Sequence, residues 1–514
     1  MLSKIKSYAL NGLEGYSVTV EVDIHSGLPG FDVVGLPDTA VKESRERVRS
    51  AIKNSGYDFP PRKITVNLAP AYTKKEGPIF DLAIALGLLV ATEQAGVDER
   101  RLPLPCVCDY VFLGELSLSG AVTRINGVMP MLIAAREHGV KKVVIPQANI
   151  SEARYIRGID VYAVSSLREA VDIINGATPS PIDKAALSLE SHPHASEDLK
   201  YVKGQFSAKR ALEIAAAGGH NIIMIGSPGG GKTMLAKCLP GILPDMTEEE
   251  VMETTKIHSV AGILDDDSGV VIERPFRSPH HTSSRIALTG GGSSARPGEV
   301  SYAHNGVLFL DELPEYPRSV LEILRQPLED GVITVSRVSR SVEYPANFML
   351  VASMNPCPCG YYGSATHQCT CSPSQINKYM SRISGPLLDR IDIHIEVDEV
   401  GYDDLTSTME TESSADVRKR VNAARAVQTA RFAGTDVHSN SQMTSSMIKR
   451  YCALDGKSEA ILQAAFDKLG LSARAYTRVL KVARTIADLA GAENIEAQHI
   501  LEAVRYRSLD KAVK

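Results

Sequence analysis

The sequence predicts a mixed α/β protein in three parts: an α/β front domain over 1–174, a parallel-sheet core over 198–400 and an α-helical region over 401–514, with a linker at 175–197. Three observations predict it. The front alternates short apolar strands with amphipathic helices, a buried-strand run at Ile222 to Ile225 passes through a glycine-rich turn into a helix-like pattern, and the pattern is helical from Ala415 onward. A chain of 514 residues is long enough for about three domains.

Composition narrows the class. Hydrophobic content of 44%, charged content of 23% and no tryptophan describe an ordinary water-soluble protein. The opening Met-Leu-Ser-Lys-Ile-Lys-Ser-Tyr lacks the apolar core of a signal peptide, and no apolar run reaches the roughly 18 residues a membrane span needs, so a cytoplasmic location without a membrane partner is expected. Eight cysteines in such a compartment point to metal or free thiols before disulfides. The net charge of −5 gives no global nucleic-acid signature, although a local basic surface remains compatible with it.

In the front domain, Tyr16 to Asp23 alternates as a half-buried strand, and Gly27 to Gly35 reads as loop plus strand. Thr39 to Ser55 is an amphipathic helix with Lys42, Arg45, Arg49 and Lys53 on its polar face. A strand at Lys63 to Ala69, an apolar helix at Asp81 to Thr92, a strand at Tyr110 to Leu118, a helix at Pro130 to His138 and a strand at Lys142 to Ile145 follow. Gly114-Glu-Leu-Ser-Leu-Ser-Gly120, Ile125-Asn-Gly127, Ala134-Ala135 and Lys141-Lys-Val-Val-Ile-Pro146 resemble, in order and spacing, the closing motifs of the Lon protease domain and its relative in the RadA recombination protein. The resemblance puts Ile79 where Lon has its serine and Met129 where it has its lysine. Neither can be a nucleophile or a base, so the resemblance implies a fold without proteolysis. Asn175 to Glu197 is polar, proline-bearing and aperiodic, as a linker is.

The strand–loop–helix at 221–236 contains Gly226-Ser-Pro-Gly-Gly-Gly-Lys-Thr233, which fits G-x-x-x-x-G-K-[ST]. Gly226, Ser227, Pro228, Gly229, Gly230 and Gly231 would turn backbone N–H groups onto phosphates, Lys232 would reach the β and γ oxygens, and Thr233 would ligate Mg²⁺. Gly306-Val-Leu-Phe-Leu-Asp-Glu312 is a second buried strand ending in two carboxylates. Asp311 is placed to hold the Mg²⁺ water shell and Glu312 to activate water, a pair that favours ATP hydrolysis over a GTP switch.

Between these motifs, Arg277 to Ser284 and Thr289 to Gly298 are loop-rich and predict an exposed projection, with His280 and His281 as polar loop residues or, alternatively, a metal or catalytic pair. Ser319 to Leu328 is helical, and Gly331 to Tyr344 forms two strands about a tight turn, with Arg337 and Arg340 near the tip as candidate DNA-phosphate contacts. The basic face at Lys42 to Lys53 is the rival contact. The strand Asn347 to Ser353 leads to Asn355, a polar group suited to sensing the γ-phosphate or water. Cys357, Cys359, Cys369 and Cys371 form two C-x-C pairs with the count and softness of a structural Zn²⁺ site; reduced thiols or a redox pair are the alternatives, and His367 could replace one ligand.

With the Lon-like front, the P-loop, the histidine-bearing insertion, Asn355-Pro-Cys-Pro-Cys-Gly360 and Ser472-Ala-Arg474 in one order, the chain resembles the YifB/ComM family of magnesium-chelatase-like AAA+ ATPases over essentially its whole length. The resemblance implies an adenine-contacting lead-in at Asp198 to Gln205, a trans-acting arginine finger at Arg390 or alternatively Arg382, a second sensor at Arg474 in a helical lid, and a hexameric ring using ATP and Mg²⁺. It also implies action on single-stranded or branched DNA, as in branch migration during integration of transforming DNA. A motor that remodels a protein partner, as in magnesium insertion by a chelatase, is the alternative.

Overall fold

The computed structural model describes residues 2–98, 104, 106–188, 195–292, 295–337, 340–364, 366–401, 406 and 411–507. Its strands are β1 Leu2–Asn11, β2 Glu14–His25, β3 Gly30–Val34, β4 Lys63–Ala69, β5 Tyr110–Phe112, β6 Glu115–Leu116, β7 Val122–Thr123, β8 Lys142–Pro146, β9 Asp160–Val164, β10 Ile222–Ile225, β11 Phe276–Arg277, β12 Val307–Leu310, β13 Val332–Arg337, β14 Arg340–Pro345, β15 Met349–Met354 and β16 Ile393–Glu396. Among the described residues no helix is long and apolar enough to cross a membrane.

The front domain is a seven-stranded mixed sheet in the order β3-β4-β2-β1-β5-β8-β9. Its first hairpin pairs Leu2 with Asp23 and Asn11 with Glu14, turning at Gly12, whose φ of 65° suits glycine. The helix Asp81–Ala91 is buried along its entire length, and Ser3 Oγ of β1 donates to its Gly87 carbonyl at 2.7 Å. The single helix expected over Thr39 to Ser55 is two, Thr39–Lys42 and Ser44–Asn54, and Arg47 of the second forms an ion pair with buried Asp81 at 2.6 Å. The strand expected over Tyr110 to Leu118 breaks at Leu113-Gly114, because the Gly114 N–H leaves the ladder to donate to Ile79 O. The segment 175–197 is partly strapped to the front domain: Ile182 N–H donates to Val161 O and Ala185 N–H to Arg154 O.

The core sheet runs β11-β12-β15-β10-β16, every pairing parallel. The strands β10, β12 and β15 are wholly buried, which is why they read as unbroken apolar runs. Helix Phe206–Gly218 covers the β10–β16 side, and helices Ser414–Arg431, Ser445–Tyr451, Gly456–Leu469, Ala473–Leu489 and Ala497–Arg505 share one apolar cluster with it.

The insertion is the exposed projection expected only in part: Ser278, His280, Thr282 and Ser284 are exposed, while other stretches pack into the core. It contains the helix Glu248–Ala261 and the edge strand β11, and Leu288, Ala295 and Val300 are buried in the core's own cluster. Moreover Met246, Val251 and Val270 join Met129, Leu132 and Ile145 in one apolar cluster, so front domain and core share a hydrophobic interior. The Gly127 N–H donates to Ser259 O at 3.0 Å, and Arg124 pairs with Asp266, sealing the same junction.

Candidate active site

Strand β10 delivers Gly226 to a place where a Cβ would lie 2.2 Å from the Val397 carbonyl oxygen, so the phosphate loop must begin on glycine. Gly229 and Gly231 adopt φ of 81° and 87°, and the helix Lys232–Cys238 starts directly after them. Lys232 Nζ donates to Gly226 O at 2.7 Å, Ser227 O at 2.9 Å and Asn355 Oδ1 at 3.2 Å. Burial pushes its pKa down, opposed by the carboxylates of Asp311 and Glu312, so the ammonium faces a site built for a compensating anion.

Thr233 Oγ1 donates to Asp311 Oδ2 at 2.9 Å, which brings together the two residues expected at the metal. Ser353 Oγ donates to the other Asp311 oxygen, as does the Glu312 N–H at 3.0 Å. The Ser353 contact was not anticipated. Its signal is a lone hydroxyl in the apolar strand β15, one register step beyond Leu310 paired with Ala352. Glu312 sits in the left-handed region, φ 53°, a conformation costing about 1 kcal/mol for a non-glycine residue, and its side chain is 57% exposed. His281 Nδ1 stands 3.5 Å from Glu312 Oε2, so this histidine of the insertion reaches the site.

Lys232, Thr233, Asp311, Glu312 and Asn355 thus converge, whereas Arg390 and Arg474 do not join them. Arg390 is 5% exposed, ion-paired with Glu329, and its carbonyl accepts from Asn221 Nδ2 at 2.9 Å. Asn221 precedes β10 and Gly226 follows it, so the arginine lies about 16 Å along the sheet from the phosphate loop, on its opposite edge. Arg474 shares Glu329 at 3.6 Å. Arg382 is instead half exposed and pairs with Glu315 at 2.9 Å, three residues past Glu312.

The four cysteines converge. Their sulfurs all lie within 4.8 Å of one another, with pairs at 3.3, 3.6 and 3.7 Å. Thiolates 2.3 Å from a tetrahedral zinc ion would stand about 3.8 Å apart, so the set fits Zn²⁺ with a small expansion. Amide donors from Tyr361 and Thr370 pull the Cys359 thiol down to about 5, favouring a thiolate. His367 is not in the cluster; it stacks on Tyr361 and its Nδ1 pairs with Thr366 Oγ1 at 2.8 Å.

Arg337 and Arg340 are cross-strand partners at the end of the β13–β14 hairpin, while residues 338–339 and the side chains of both arginines lie outside the described residues. In the front domain Met129 is fully buried and Ile79 packs on the same cluster, leaving apolar groups at both positions that Lon would use for catalysis.

Residues 198–405 match the family described as magnesium chelatase, subunit ChlI; residues 20–149 match subunit ChlI of Mg-chelatase, and 411–507 its ChlI C-terminal family. The chain is 44% identical over 513 residues to competence protein ComM of Haemophilus influenzae, covering 99% of this chain and 98% of the relative. It belongs to the YifB/ComM family of magnesium-chelatase-like AAA+ ATPases. It is likewise 43% identical over 515 residues to the uncharacterized protein YifB of Escherichia coli, covering 99% of this chain and 98% of that one. Lon protease of Acinetobacter baumannii is 26% identical over 198 residues, 36% of this chain and 23% of the relative. As a member of this family the protein is an ATP-hydrolysing enzyme.

Proposed function

We propose that the protein is an ATP-driven hexameric motor acting on DNA, a branch-migration helicase or translocase serving homologous recombination and the integration of transforming DNA. The observation that carries the motor reading is the Thr233–Asp311 bond, which brings the phosphate loop and the carboxylate strand together where their side chains would hold Mg²⁺. In this reading Lys232 and the loop amides would bind the triphosphate, Thr233 and Asp311 would hold Mg²⁺, Asn355 would orient the attacking water and Glu312 would take its proton. Arg390 and Arg474, being on the far edge of the sheet, serve a neighbouring subunit's nucleotide, with Arg382 as the alternative finger. That division requires a ring. Zinc bound by Cys357, Cys359, Cys369 and Cys371 would brace the loop behind Asn355. The DNA reading is supported by similarity to a protein named for competence and by the basic hairpin end.

The test measures ATP turnover with single-stranded DNA, branched DNA and casein. DNA, and not casein, should raise turnover. Arg337→Ala with Arg340→Ala should abolish that rise, reduce DNA affinity for all sequences alike and flatten its salt dependence, while basal turnover persists. Stimulation by casein alone would replace the DNA reading with protein remodelling.

A further inference from the structure

We propose that His281 is a positioning residue for the base Glu312, supplied from the turn that follows the neighbouring strand; this rests on the reading of Glu312 as the group that takes the proton from water. Strands β11 and β12 run parallel with Arg277 opposite Leu308, and His281 and Glu312 each lie four residues beyond this pair, in the turns that follow the two neighbouring strands. Two contacts pin the segment between them. Arg277 is forked onto Glu299 at 2.7 and 2.8 Å, and Tyr316 Oη, just past Glu312, donates to Pro279 O at 2.5 Å.

The histidine is also held as a ring. His280 packs against it with centroids 4.1 Å apart and the rings tilted by 34°, Tyr316 meets it edge-on at 6.3 Å, and His280 is itself fixed by Thr282 Oγ1 at 2.8 Å. One face and one edge of His281 are therefore occupied by aromatic rings, and its Nδ1 is the atom turned to Glu312 Oε2. A base on a strained backbone with a half-exposed carboxylate has several rotamers open to it; a nitrogen at one oxygen restricts them and leaves the other oxygen for water. Only the tautomer or charge state with a proton on Nδ1 can donate.

Two roles separate cleanly by substitution. A ring needed only for packing is replaced by phenylalanine, whereas a nitrogen needed at the carboxylate is replaced by an amide. The experiment measures kcat, KM and nucleotide affinity of the full chain carrying His281→Phe, His281→Asn or His281→Gln, with Glu312→Gln as control. The phenylalanine variant should lose roughly tenfold to hundredfold in kcat, the scale set by misplacing a reacting group by about an ångström, with nucleotide affinity unchanged. The better-reaching of the two amides should recover most of that loss. Wild-type kcat in His281→Phe, or equal loss in Phe and both amides, overturns the proposal. If Glu312→Gln itself hydrolyses ATP normally, the reading of Glu312 has failed instead, and the proposal goes with it.

Discussion

At the residue scale, the proposed chemistry divides between side chains that would hold charge around the phosphate loop and Glu312, after the carboxylate strand, which would take a proton. Lys232 spends its three N–H donors on two loop carbonyls and Asn355, so it already spans the loop and the sensor strand before a phosphate arrives. Lys232→Ala removes both the anchor and the positive charge, and we expect nucleotide affinity to fall at least tenfold, about 1.4 kcal/mol, in a fluorescent-nucleotide titration. Glu312→Gln leaves the Thr233–Asp311–Ser353 cluster untouched, so affinity should stay near wild type while phosphate release drops by the roughly hundredfold or more that a general base contributes. Equal affinity in the lysine variant would dissociate the loop from nucleotide binding. These residues were legible in the sequence because the motif fixes their spacing. Ser353 was not, since it reaches the site through strand register, which links residues far apart in the chain; His281 was legible only as half of a loop histidine pair with a metal or catalytic alternative, and its pairing with Glu312 was not.

At the element scale, the four-cysteine loop is mechanically attached to the phosphate loop. Gly360 has φ 89°, and a Cβ there would stand 2.6 Å from Pro228 of the loop. On its other flank, Glu399 accepts from Ser364 Oγ at 2.7 Å and lies in hydrogen-bonding reach of Ser227. Purified without added metal, the protein should contain one zinc per chain, and a strong chelator should release it and weaken nucleotide binding through these contacts. Gly360→Ala should weaken it with zinc still bound, since the methyl group pushes Pro228 and the left-handed backbone adds about 1 kcal/mol of strain. Four freely titrating thiols in metal-free protein with full nucleotide affinity would dismiss the site. Strands of the core were readable as apolar runs because both faces are covered. Strand β1 was not, since its inward positions 3, 5 and 7 hold Ser, Ile and Ser, and the two serines erase the alternation. The helix Glu248–Ala261 escaped for the same reason: Glu250, Thr254, Thr255, His258 and Ser259 are among its buried residues, and a polar interior gives no apolar stripe.

At the scale of the whole molecule, that polar helix shows how a front domain without proteolytic side chains is held here: it is locked onto the ATPase core. Glu152 of the front domain is buried and accepts from Ser259 Oγ of the helix at 2.6 Å, from Asn149 Nδ2 at 2.7 Å and from the Met129 N–H at 3.1 Å. All three neighbours can donate, and the carboxyl meets them in either state, because when protonated it keeps its acceptor lone pairs and can turn its O–H to the Ser259 hydroxyl; an amide fits less well, since its NH₂ must face the Met129 N–H or Asn149 Nδ2. Burial raises the Glu152 pKa, outweighing the hydrogen bonds from Ser259, Asn149 and Met129 that pull it down. The native state therefore holds this proton above the pH at which the unfolded chain releases it. Its contribution is full below the ordinary value of 4.5 and is lost as pH rises through the raised native value. Thermal melts of wild type and Glu152→Gln between about pH 4 and pH 7 read this directly. The variant should be less stable by about 1–3 kcal/mol from its mispaired amide, and the gap to wild type should be widest at the acid end, narrowing as wild type loses the Glu152 contribution. A constant gap across the range would mean that the carboxyl titrates alike in folded and unfolded chains, and no gap at all would mean that the junction is held by Met246, Val251 and Val270 without it.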